Sequence, residues 1–119
     1  MPKKIETLVG VKKRHYRNLT GRCYEIAFRF VSDNEGWALI HGTLDIADAL
    51  GRDDEKYRHY KHAWAEKGCY VYDPSHNYFY LKKEFERDFN AKPIKSYSLR
   101  EARSTMINAG KTHYGPWHE

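Results

Sequence analysis

KHAWAEKGCYVYD, residues 61–73, reads as two short strands meeting across a tight turn. Alternating apolar and polar positions on both sides of a glycine mark a β-hairpin. With Lys67-Gly68 as the turn, Glu66 faces Cys69, Trp64 faces Val71 and His62 faces Asp73. Directly opposed side chains on one sheet face have Cβ atoms about 5 Å apart. An imidazole and a carboxylate are thereby expected within hydrogen-bonding reach, and a hairpin stands at the centre of the fold.

The segments on either side extend this frame. After Thr20-Gly21, the run CYEIAFRFV sets Cys23, Ile26, Ala27, Phe30 and Val31 on one helical stripe, with Thr20 as N-cap. Residues 32–36 end that helix, and Trp37 to Leu44 has strand composition. DIADAL predicts a short helix stopped by Gly51, followed by a polar loop, RDDEK. Beyond the hairpin, residues 74–77 make a turn and Tyr78 to Leu81 a third strand. Lys82 to Phe89 predicts a helix with Phe85 and Phe89 at i, i+4. An edge strand is expected over Ile94 to Tyr97, after Pro93. Ser98 and Glu101 form a capping-box pattern that opens a helix ending at Gly110. A helix, a run of strands joined by tight turns, then helices indicate an α+β fold: an N-terminal Cys-bearing helix packed on a small antiparallel sheet, with C-terminal helices.

The chain of 119 residues suits one domain, residues 20–119, preceded by a basic arm over 1–19. Its 40% hydrophobic content, with 10 Tyr, 5 Phe and 3 Trp, excludes a disordered tail. No apolar run approaches a membrane span, and the opening MPKK is not followed by the apolar core of a signal peptide. With Cys23 and Cys69 as its two cysteines, the chain is expected to be cytoplasmic, in a reducing compartment. The net charge of +5 is concentrated early: residues 1–22 carry seven cations against Glu6, a net of +6, leaving −1 for the rest. Such a leader suits an acidic partner or nucleic acid, and also a plain solvated arm.

Cys23 opens the predicted helix, where unpaired N–H groups and the helix dipole favour a thiolate. A cysteine on an apolar stripe also serves as inert core. Cys69 lies four residues along its strand from Asp73, about 13 Å at strand rise, and is read as structural. Among His41, His59, His62 and His76, register gives a carboxylate to His62 alone. Asp73 there would orient the imidazole and stabilise its charged form, or simply tie two strands together. Glu66 is assigned to guarding the turn.

No metal or cofactor is expected. His59 and His62 point to opposite faces of a strand, and no Cys-x-x-Cys is present. The run Asp53-Asp54-Glu55 lacks calcium-loop spacing and reads as a solvated loop. There is no phosphate-binding or dinucleotide glycine motif.

A cysteine opening a helix in GRCYE, then HAWAE on one strand and VYDP on the next, resembles the papain-like superfamily, especially its transglutaminase-like branch. The likeness covers about residues 20–80. The C-terminal AKPIKSYSLREA and GPW are also similar to small uncharacterised proteins of bacteria and their phages. The resemblance implies Cys23 as nucleophile, His62 as general base and acid, and Asp73 as orienting carboxylate. It also implies a protease, amidase, deamidase or transglutaminase-type enzyme acting on an amide or ester of a peptide or protein, in a bacterial cell or phage-infected host. Members of the superfamily often use a Gln before the Cys to hold the oxyanion, and this chain has no Gln. The Cys23 N–H can supply one donor, with Asn18, Tyr16 or Thr20 as candidates for the second. Trp64 is a candidate wall of the acyl site, or core. Two other readings remain: a non-catalytic phage-type binding or inhibitor protein on the same fold, and a nucleic-acid binder using the leader and the tyrosines.

Overall fold

The computed structural model describes residues 2–51, 54–110 and 113–117. In chain order the elements are α1 (Cys23–Asp33), β1 (Ala38–Leu44), α2 (Ala47–Leu50), α3 (Glu55–Arg58), β2 (Tyr60–Lys67), β3 (Tyr70–Asp73), β4 (Tyr78–Leu81), α4 (Lys82–Phe89), β5 (Lys92–Tyr97) and α5 (Leu99–Ala109). The strands form one antiparallel sheet in the order β4-β3-β2-β1-β5. The fold is α+β, with the cysteine-bearing helix lying on the sheet.

Strand alternation divides the core in two. From β2, Ala63 and Ala65 point to the α1 face, where Ile26, Ala27, Phe30 and Val31 meet Leu39, Tyr72, Phe79 and Tyr97. Two alanines at the centre of the sheet let the helix approach closely. Phe30 stacks on Tyr72 at 4.0 Å and 8°, fixing α1 over β3. The opposite face carries Trp64, Ile40, Leu44, Val71 and Tyr80 under Phe85 and Phe89 of α4. The i, i+4 spacing of those two phenylalanines is what brings α4 onto the sheet.

Gly42 is required by packing. A Cβ there would stand 2.3 Å from the Lys92 carbonyl oxygen and 2.7 Å from Trp64 Cη2. The pairing of β1 with β5 shifts register at this point, between His41 and Gly42.

Several local expectations are corrected. The N-cap of α1 is Arg22 rather than Thr20, with no side-chain cap bond. Part of the polar loop is the short helix α3, capped by Asp54, whose side chain accepts from the Lys56 N–H. Arg52 and Asp53 of that loop lie outside the described residues.

The leader expected as a solvated arm is laid against the body. Ile5 pairs with Phe79 through two backbone hydrogen bonds of 2.8 Å, and Leu8, Val11, Tyr16 and Leu19 pack on the α1-side core. Asn34, buried at the end of α1, accepts from the Lys12 N–H and donates to the Lys12 carbonyl, each at 2.7 Å. Arg14 forms a two-pronged pair with Asp33. Among the described residues, no helix is long and apolar enough to cross a membrane.

Candidate active site

The hairpin register differs from the sequence expectation by two residues. Lys67 pairs with Tyr70, Glu66 with Val71 and Ala65 with Tyr72, so the turn is Gly68-Cys69. Gly68 has φ +58°, the glycine at the first central position of a II′ hairpin turn. A glycine can occupy either central position of a tight turn, and the sequence alone does not choose between them. Asp73 therefore stands diagonal to His62 rather than opposite it. The two keep the same sheet face, since a two-residue change of register preserves alternation.

The diagonal is bridged. His62 Nε2 lies 2.8 Å from Asp73 Oδ1, and the two side chains are 1% and 4% exposed. The turn after β3 completes the carboxylate's shell: the Ser75 N–H donates to Oδ1 at 3.0 Å, and His76 Nδ1 stands 3.7 Å from Oδ2. Burial would raise the Asp73 pKa, but the charge and hydrogen bond of His62, the nearby His76 and the Ser75 N–H hold it far below the usual carboxylate range. Burial would likewise lower that of His62. The Asp73 charge and hydrogen bond, with a contribution from Cys23, push it up to about 10.

The turn that carries these partners is fastened by the leader. Asn77 adopts φ +58°, a left-handed conformation that asparagine tolerates. Its Nδ2 donates to the Arg14 carbonyl at 3.1 Å, and the Asn77 carbonyl accepts from Lys13 Nζ at 2.8 Å.

Cys23 is the first residue of α1, half-buried, at a helix start with no side-chain cap. Strand β3 accompanies β2 only over residues 65–67, so the β2 edge at Ala63 lies beyond the β2–β3 ladder. The Ala63 N–H interacts with the Cys23 sulfur there. With Nε2 of His62 taken by Asp73, Nδ1 is the nitrogen left for the thiol. It has no hydrogen bond of strict geometry, yet the two groups are close enough to perturb each other. Burial pushes the Cys23 thiol up. The neighbouring His62 imidazole and the Ala63 N–H outweigh it and bring the pKa below the ordinary thiol value.

The structure thus brings Cys23, His62 and Asp73 together. The other candidates lie differently. Trp64 is fully buried in the second core, 5.5 Å from Phe85 and 6.1 Å from the His62 ring, with Nε1 donating to Glu66 Oε2. It backs the imidazole and presents no surface to a cleft. Asn18 Oδ1 accepts from the Thr20 N–H, the Asn18 carbonyl accepts from Arg22, and the Arg22 guanidinium covers the Tyr16 ring at 5.4 Å. These contacts shape the turn into α1; none of them is made to Cys23. Cys69 is exposed on the hairpin turn, at the far end of β3 from Asp73.

Two tyrosines escaped the sequence reading. Tyr24 follows Cys23 on α1, and its hydroxyl is buried without a hydrogen-bond partner. Burial, with the charges of Cys23 and Tyr60, pushes it up to about 12. Tyr60, 40% exposed, has its ring 6.2 Å from that of His62, and burial and the charges of Cys23 and Asp73 raise its pKa. The available signal was position: Tyr24 adjoins the cysteine, and Tyr60 shares a strand face with His62.

Among the described residues, no group of three or more His, Cys, Asp or Glu is arranged to hold a metal ion. No family model, curated protein or solved structure matches the chain.

Proposed function

We propose that this protein is a cysteine-dependent hydrolase or acyltransferase acting on an amide or ester bond, with Cys23 as nucleophile, His62 as general base and acid and Asp73 as orienting carboxylate. One observation carries the reading. A buried imidazole is held by a buried carboxylate through one nitrogen, while the other is left for a thiol at an uncapped helix start. The pKa directions support it: the thiol is lowered and the imidazole raised, which favours a thiolate–imidazolium pair.

The mechanism follows from those roles. The Cys23 thiolate attacks the carbonyl carbon, and the imidazolium of His62 gives its proton to the departing amine. The resulting thioester passes to water or to an amine, activated by the now neutral His62. Protease, amidase, deamidase and transglutaminase chemistry share these steps. The arrangement is the one implied by the likeness to the papain-like superfamily, and a peptide or protein is the proposed substrate.

Two of the leader's seven cations are paired within the chain, Arg14 with Asp33 and Arg22 with Glu25. The test is alkylation by iodoacetamide at pH 6 in a Cys69→Ser background. Cys23 is expected to react at least tenfold faster than a free thiol, and His62→Ala to abolish the advantage. A rate no faster than that of a free thiol would leave a non-catalytic binding protein with a buried His–Asp strut.

A further inference from the structure

The chain has no Gln to complete an oxyanion hole, and Asn18, Tyr16 and Thr20 make their contacts elsewhere. Resting on the cysteine-acylation reading above, we infer that the hydroxyl of Tyr24 is the side-chain hydrogen-bond donor to the substrate's acyl oxygen.

Three observations carry this. Tyr24 is the residue after the nucleophile, in the same uncapped first turn with its unpaired backbone N–H groups, and the Cys23 charge acts on its phenol. Its ring is clamped. It meets His41 edge-on at 4.8 Å and 88°, and the Gly115 backbone closes over both: a Cβ there would lie 3.2 Å from Tyr24 Cδ1 and 2.6 Å from His41 Cε1. Its hydroxyl, finally, is buried and unpartnered. Buried phenols ordinarily find an acceptor. An orphaned donor on the residue that follows a nucleophile has a hydrogen bond to give to an acceptor that arrives with the substrate. The phenol is protonated, and so able to donate, at neutral pH.

In the step proposed, the thiolate forms the C–S bond while the carbonyl π pair moves onto oxygen. Tyr24 donates a hydrogen bond to that oxygen and keeps its proton. Collapse re-forms the C=O bond and expels the leaving group.

The experiment compares Tyr24→Phe with the parent, both in the Cys69→Ser background, with two probes of the same sulfur. p-Nitrophenyl acetate reports acylation as a burst of p-nitrophenolate, which leaves as the anion; the reaction passes through an oxyanion. Iodoacetamide reacts by displacement at carbon and forms none. We expect Tyr24→Phe to slow the burst about 100-fold while leaving alkylation and the melting temperature no lower than the parent's. An unchanged burst would overturn the assignment, as would parallel slowing of both probes, which would place Tyr24 in thiol activation or folding instead. A parent with no burst at all would sink the cysteine-enzyme reading itself, and this inference with it.

Discussion

Nε2 of His62 and Oδ1 of Asp73 stand 2.8 Å apart inside the protein, with almost no exposed surface on either side chain. Removing one member of a buried pair costs more than the pair contributes, because the other is left charged and unpaired. Asp73→Ala is therefore expected to lose about 3–5 kcal/mol of stability. Asp73→Asn keeps an acceptor for Nε2 and should lose less. Both should slow Cys23 alkylation at pH 6, since the negative charge that raises the imidazole pKa is gone. Urea titration and iodoacetamide kinetics on the two variants check this. Asp73→Asn labelling at the parent rate would show that the carboxylate does not act on the thiol.

The same pair sets a pH dependence with a definite sign. Asp73, held below its ordinary value, contributes stability that is present above about pH 4 and lost as acid titrates its folded form. His62, raised from 6.5 to about 10, contributes stability that is fully present below 6.5 and lost as pH rises through 10. Cys23 acts oppositely: a lowered thiol adds stability as pH rises. In Cys23→Ser, where that opposing contribution is absent, the urea midpoint should be higher at pH 5.5 than at pH 9.5. The difference should shrink in Cys23→Ser/Asp73→Asn. Equal midpoints in the single variant would contradict the raised imidazole.

Much of this arrangement is legible in the residues, for identifiable reasons. Phe85 and Phe89 place α4, and the reciprocal bonds of Ser98 and Glu101 open α5 where the motif predicts. The grouping of Cys23, His62 and Asp73 survives a register error because a shift of two residues keeps both hairpin side chains on one face. What was hidden depends on tertiary contacts. α3 has no buried residue among Glu55–Arg58 and so no apolar period to read. The leader's Ile5, Leu8 and Val11 recur every three residues in a segment that forms no helix, and only the edge of β4 and the end of α1 explain them. Trp64 reads equally as wall or core until α4 is seen to cover it.

Gly42 gives a prediction about packing alone. A methyl group at this position collides with the Lys92 carbonyl and the far edge of the Trp64 indole, and neither is a flexible chain end. Gly42→Ala must part β1 from β5 or tilt Trp64. A loss of about 1–3 kcal/mol is expected, the usual range for overpacking, measured as a lower urea midpoint. Because Trp64 backs His62, Cys23 alkylation should slow as well. A stability within 0.5 kcal/mol of the parent, the ordinary range of a neutral substitution, would contradict the contact.

The leader supplies the last prediction, since its contacts reach both the core and the turn behind Asp73. Deleting residues 1–14 removes the Ile5–Phe79 pairing, both Lys12 bonds to Asn34 and the two bonds that Lys13 and Arg14 make to Asn77. The Asn34 side chain would keep its bond to the Phe30 carbonyl but lose both Lys12 partners inside a buried site. With net hydrogen-bond contributions near 1 kcal/mol each, and the partial burial of Ile5, Leu8 and Val11, a loss of about 3 kcal/mol or more is expected. The turn at Ser75 and His76 would be released at the same time, loosening the carboxylate that holds His62. The truncated protein should therefore melt earlier and label more slowly at Cys23. A plain solvated arm would change neither property, and an unchanged melting temperature together with an unchanged alkylation rate would show that these contacts are not made in solution.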